Sequence, residues 1–174
     1  TQNIQQLREE FKSKLSRLND YLWTAGLPDP MTRIQQISYF FFLKMLEEQD
    51  IAMEKEEKLT GRKHHSIFAG NNDKFRWSRW RVKAGKELFK YVRDEVFPFV
   101  EELQNSHKNI GQIFHGAKLI IPDEAVLKRT VEIIDTIDFS SLDTDIKGDL
   151  YETLLSSIES AGELGAFLTP RHII

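Results

Sequence analysis

Apolar residues recur every three or four positions through the first part of the chain. Ile4, Leu7, Phe11, Leu15, Leu18 and Leu22 make one stripe, which predicts a helix over about 3–23, capped by Thr1 or Asn3. Gly26, Pro28 and Pro30 break it, and Asp29-Pro30 suits a cap followed by a proline in the first helical turn. The next stretch, about 30–59, is apolar almost all round. Ile34, Ile37, Phe40, Phe41, Leu43, Met45 and Leu46 crowd it, Tyr39 and Phe42 fill the other faces, and Gly61 ends it. That pattern predicts a centrally buried helix.

Residues 62–84 lose any sustained period, and Gly70-Asn71-Asn72-Asp73 is a turn signal. Phe75, Trp77 and Val82 suggest a short extended piece, a strand or hairpin near 74–82. Helical spacing returns at Leu88, Phe89, Val92 and Val96, with Pro98 expected to end or kink that helix near Phe97. A loop over 105–121 carries the short apolar run Leu119–Ile121. Pro122-Asp123-Glu124 opens a fourth helix with Val126, Leu127, Thr130, Val131, Ile134 and Ile137 inward. A fifth helix is expected over about 144–160, with Ile146, Leu150, Leu154, Leu155 and Ile158 inward. The fold class is all-α, a bundle of about five helices.

The 174 residues suit one compact domain of ordinary composition. The absence of cysteine excludes disulfide scaffolds, Cys-based zinc sites, iron–sulfur clusters and thiol catalysis. No apolar run approaches the ~18 residues of a membrane span, and the N-terminus lacks the apolar core of a signal peptide. The expectation is a soluble cytoplasmic protein with no membrane partner. Thr1 and the apolar Ile173-Ile174 suggest a piece cut from the N-terminal part of a longer protein.

The net charge of −3 hides a segregation. Between Gly61 and Lys90 nine basic residues stand against Asp73 and Glu87, a net of about +7; between Ile121 and Ile174 eleven acids face four bases, about −7. The basic stretch also holds Phe75, Trp77 and Trp80. Cations interleaved with aromatics can meet phosphates and stack on bases. The plainer account is a solvated loop whose tryptophans are core anchors, since charge runs are usually solvated. The candidate nucleic-acid contacts are Arg62, Lys63, Lys74, Arg76, Arg79 and Arg81. The five histidines show no metal-ligand spacing. There is no phosphate-binding loop and no nucleophile elbow, so no complete catalytic constellation or metal site is present. One segment, Gly162 to Arg171, joins two glycines, an aromatic and a Thr-Pro helix start. It reads either as an anion-binding helix start or as an ordinary inter-helix loop.

Gly165-Ala166-Phe167-Leu168-Thr169-Pro170-Arg171 resembles the Gly-x-Phe-x-Thr-Pro-Arg segment of adenine-N6 DNA methyltransferases. Asp145-Ile146-Lys147-Gly148-Asp149-Leu150-Tyr151-Glu152 resembles the helix leading into it. Leu22-Trp23, Ile37 to Lys44, Phe75-Arg76-Trp77-Ser78 and the helix after Pro122 resemble the N-terminal helical domain of type I restriction–modification methylation subunits. The resemblance covers nearly the whole chain. It implies a helical domain over 1–160, then a linker and the truncated start of a methyltransferase domain over 161–174. It also implies that Gly165, Ala166, Phe167, Leu168, Thr169 and Pro170 edge an S-adenosylmethionine pocket. Ala166 and Leu168 stand where many relatives carry Gln and Tyr, which leaves backbone contacts there. The full-length subunit would methylate adenine N6 in double-stranded DNA, with a specificity subunit, a second methylation subunit and often a restriction subunit. Neither the Asp/Asn-Pro-Pro-Tyr/Phe tetrapeptide nor the glycine-rich cofactor loop occurs in these residues, so the fragment alone is expected to be inactive. The alternatives are a free-standing helical nucleic-acid-binding domain and a helical adaptor whose Phe-rich helix packs on a partner.

Overall fold

The computed structural model describes residues 4–103 and 114–137. The expected caps Thr1 and Asn3, the side chains of Ile4 and Leu7, the expected helix over 144–160 and the segment 161–174 lie outside the described residues.

Helix α1 (Ile4–Thr24) buries Phe11, Leu15, Leu18 and Leu22, the expected stripe. Helix α2 (Pro30–Thr60) runs 31 residues, about 46 Å at 1.5 Å per residue. Asp29 caps it, accepting from the Met31 amide at 3.2 Å and from Thr32 Oγ1 at 2.7 Å, with Pro30 in the first turn. Gly61 closes it at φ 76°, a left-handed geometry that a glycine adopts without cost, and donates to the Glu57 carbonyl. From Arg33 to Lys44 nearly every residue of α2 is buried, so the all-round apolar pattern does mark the centre of the bundle. α1 and α6 (Glu124–Asp135) both pack on α2 and on each other.

Most polar residues inside this centre are matched, the fully buried Ser38 hydroxyl being the exception. Arg33 is 1% exposed. It donates to Asn19 Oδ1 and to the carbonyls of Leu27 and Pro28, each at 2.8 Å, and so fixes the turn between α1 and α2. Burial pushes its pKa down, against the pull of Asp29 and Asp20. The Gln36 amide group donates to the Lys118 carbonyl and accepts from the Ile120 amide, which holds the loop before α6. Lys44 Nζ donates to the carbonyls of Ile134 and Asp135 at the end of α6 and of Ile137 just beyond it. A cation there meets carbonyl groups at the negative end of the helix dipole.

The stretch 70–80 departs from expectation. A 3₁₀ turn (Gly70–Phe75) leads into the short helix α3 (Trp77–Trp80), where an extended piece was predicted. Trp77 and Trp80 are both buried, and only a helical turn points residues three apart to one side; Val82 stays 67% exposed and contributes no core contact. Glu47 of α2 completes the turn, accepting from both the backbone N–H (2.7 Å) and the hydroxyl (2.6 Å) of Ser78. A carboxylate at a helix N-terminus is favoured by its free amides. Among the described residues no strand occurs.

The next helix also runs on past its expected end. α4 (Gly85–Tyr91), a π turn (Val92–Val96) and α5 (Phe97–Glu102) form one continuous helical path through Pro98. A proline ring crowds the carbonyl four residues back, here that of Asp94. The π turn widens the path at that point, with the Phe97 amide reaching back five residues to the Val92 carbonyl. Phe97 then joins Tyr39, Phe40 and Phe114 in an aromatic cluster with ring centroids 5.4–6.4 Å apart. α6 is capped by Asp123, which accepts from the Val126 amide at 2.9 Å, and it buries Val126, Leu127, Thr130, Val131, Ile133 and Ile134. Among the described residues no helix is long and apolar enough to cross a membrane.

Replacing Lys44 with Met keeps the stem and removes the donor. Taking this donor from the carbonyls it serves should cost about 2 kcal/mol, a fall in Tm of about 4–8 °C for a chain of this size. Thermal unfolding followed by circular dichroism reads this directly; an unchanged Tm would mean that the end of α6 finds other donors.

Candidate nucleic-acid interface

The polar half of α2 has its own periodicity. Glu47, Asp50, Glu54 and Glu57 fall three and four residues apart, and so share one helix face. That face meets the basic segment. Buried Asp50 accepts from Ser66 Oγ at 2.8 Å and lies 2.6 Å from His64 Nε2 and 3.3 Å from the Arg76 guanidinium. Glu57 accepts from the His64 amide, and Glu54 lies 3.4 Å from Arg76. From the other side Asp135, at the end of α6, accepts from Trp77 Nε1 at 2.8 Å and from Arg81 at 2.9 Å. Lys128 of α6 donates to the carbonyls of Arg81 and Lys83. A segment with little regular structure is thus fastened at both ends, and the α2 acids that fasten it were not singled out from sequence. Their signal was there, as an acidic stripe at helical spacing preceding an oppositely charged run.

The six candidate contacts separate into three kinds. Arg62 and Lys63 are exposed, and neither side chain makes a hydrogen bond or ion pair among the described residues. Lys74 is exposed, and its ammonium sits 5.1 Å from the centre of the Phe75 ring. Arg79 and Arg81 are exposed but paired, with Asp73 and Asp135, each at 2.9 Å. Arg76 differs: its side chain is only 14% exposed, and Asp50, Glu54 and Asp73 surround it within 3.4 Å. Burial works against its charge, but the hydrogen bond to Asp73 and the charges of Asp50 and Glu54 hold its pKa above the usual value. In turn the Arg76 hydrogen bond, helped by Arg79, keeps the Asp73 carboxyl below the usual carboxylate range. Arg76 is therefore engaged in an internal ion-pair cluster.

The aromatics of the segment face inward. Trp77 and Trp80 are buried edge to face at 4.8 Å, and Phe75 stacks on Phe99 at 4.2 Å. The two tryptophans are core anchors, as in the plainer of the two sequence readings, and Phe75 is partly buried beside them. Among the described residues no group of three or more His, Asp or Glu is placed to hold a metal. The candidate cofactor residues Gly165, Ala166, Phe167, Leu168, Thr169 and Pro170 lie outside the described residues.

The model of the HsdM N-terminal domain matches residues 11–134, most of the chain and nearly all of the described bundle. The chain belongs to the HsdM N-terminal domain family. It is 28% identical over 160 residues to the type I restriction enzyme EcoEI methylase subunit of Escherichia coli. That alignment takes in 86% of this chain and 31% of the relative, so the chain spans about a third of the relative's length. The family assignment agrees with the resemblance drawn from the Phe-rich helix, the Phe-Arg-Trp-Ser tetrapeptide and the helix after Pro122.

In this HsdM N-terminal domain, Asp50→Ala would leave Arg76 and His64 facing a half-buried site without their shared acceptor. The expected loss is about 3 kcal/mol of stability, with faster proteolysis within 62–76. Urea unfolding and limited trypsin digestion check both; loss of neither would mean that Asp50 is dispensable for anchoring the segment.

Proposed function

We propose that this chain is the DNA-gripping and subunit-contacting helical domain of a type I restriction–modification methylation subunit. Membership of the HsdM N-terminal domain family carries the reading. The exposed cations on a rigidly fastened segment supply its chemistry. Fixed cations on a folded scaffold bind phosphates without first paying the entropy of ordering, and they release counterions from the duplex. Arg62, Lys63 and Lys74 are the contacts available at once. Arg79 and Arg81 become contacts when phosphate replaces their carboxylate partners.

In the full-length subunit the segment 165–170 would edge the S-adenosylmethionine pocket. The methyltransferase domain would transfer a methyl group to adenine N6 after the base is extruded from the stack. Partners would be double-stranded DNA, a specificity subunit, a second methylation subunit and, in many systems, a restriction subunit, all in the cytoplasm. The helical domain contributes binding and no chemistry, so methyl transfer by the 174-residue chain alone would defeat the reading.

The test of DNA gripping is fluorescence anisotropy of a labelled duplex at several salt concentrations. The wild-type chain should bind with an affinity that falls steeply with salt. The triple variant Arg62→Ala, Lys63→Ala, Lys74→Ala should bind more weakly and flatten the slope of log affinity against log salt by up to about 2.7. Binding that is absent, or that ignores both salt and the triple variant, would point instead to a protein-contact role.

A further inference from the structure

Two of the exposed arginines are not free, and their partners are not alike. Asp73 lies within the basic segment and also holds the partly buried Arg76. Asp135 comes from a distant part of the chain and sits at the end of α6, where one oxygen accepts from Trp77 Nε1 and the other from Arg81. The Trp77 bond serves the core. The Arg81 bond is at the surface, with Arg81 43% and Asp135 31% exposed. Exposed ion pairs of this kind contribute little to stability, so a phosphate can displace the carboxylate. Lys128 meanwhile fastens the Arg81 backbone through its carbonyl. The side chain can therefore change partner while the main chain stays in place.

We propose that Asp135 is a counter-ion that masks Arg81 and lowers the affinity of this face for polyanions, so that Arg81 engages only where a phosphate is delivered close enough to replace the carboxylate. This rests on the nucleic-acid reading above. It makes Asp135 a residue that sets how tightly, and how indiscriminately, the domain holds a duplex. The neutral amide of Asn keeps an oxygen for Trp77 Nε1 while removing the charge that holds Arg81.

The experiment compares the full chain and its Asp135→Asn variant binding a labelled duplex of arbitrary sequence between about 50 and 200 mM salt. Glu102→Gln, exposed on α5 and in no ion pair among the described residues, supplies the same change of net charge outside the basic segment. The expected result is tighter binding by Asp135→Asn than by Glu102→Gln, with an advantage that shrinks roughly threefold across that salt range, as one added phosphate contact requires. In the Arg81→Gln background, Asp135→Asn should give no advantage over Glu102→Gln. Equal affinities of Asp135→Asn and Glu102→Gln would overturn the masking role while leaving DNA binding intact. So would an advantage of Asp135→Asn that survives in the Arg81→Gln background. Should Asp135→Asn fail to fold, Arg81→Gln decides alone: a loss of affinity smaller than that of Lys63→Ala supports masking, and an equal or larger loss overturns it. If the wild-type chain shows no salt-dependent binding, the nucleic-acid reading itself falls.

Discussion

A polar side chain inside a helix buried on all sides is costly to leave unmatched, and α2 is buried in this way from Arg33 to Lys44. Apart from the Ser38 hydroxyl, the buried polar residues of α2 find partners on other parts of the chain. Arg33 takes the turn from α1, Gln36 takes the loop at 118–120, Lys44 takes the end of α6, Glu47 takes the start of α3, and Asp50 takes His64, Ser66 and Arg76. Apolar burial supplies most of the driving force but is not directional. The polar partners, each with a distance and an angle to satisfy, fix where the connections sit. This is why the irregular stretch between α2 and α4 can hold a defined arrangement with only one short helix and a 3₁₀ turn of its own.

That arrangement divides the labour within the basic segment. Its aromatics go to the core, one arginine goes to the internal acids, and the remaining cations stay at the surface of a scaffold that does not need to reorganise. Opposite charges on α2 and α6 do two jobs with the same chemistry. Buried, as at Asp50 and Arg76, they position the chain. Exposed, as at Asp135 and Arg81, they are weak enough to be exchanged for another anion. Burial decides which role a given pair plays, because desolvation makes the buried pair costly to break and solvent screens the exposed one.

Much of this was legible in the sequence where one local rule dominated. The stripe on α1 from Phe11 to Leu22, the Asp29-Pro30 start and Gly61 stop of α2, the all-round apolar run and the opening of α6 at Pro122-Asp123-Glu124 are all short-range signals, and each stands as read. Reading failed where a tertiary requirement outweighed the local pattern. Phe75, Trp77 and Val82 suggested an extended piece, but Trp77 and Trp80 share one core and Glu47 is placed to cap the resulting helical turn. Pro98 should stop a helix, but a π turn before it makes room, and no residue type announces a π turn. Arg76 is indistinguishable by spacing from Arg79 and Arg81. Only the approach of Asp50 and Glu54 from a separate helix tells them apart.

The most direct test of the central claim, that polar groups of a buried helix fix the irregular connections, is native-state amide exchange. The Ser78 and Ile120 amides, which donate to Glu47 and Gln36, should exchange as slowly as amides in the middle of α2, opening only when the whole domain unfolds. Exchange of these two amides orders of magnitude faster than the centre of α2 would contradict it, showing connections that open independently of the helix said to hold them.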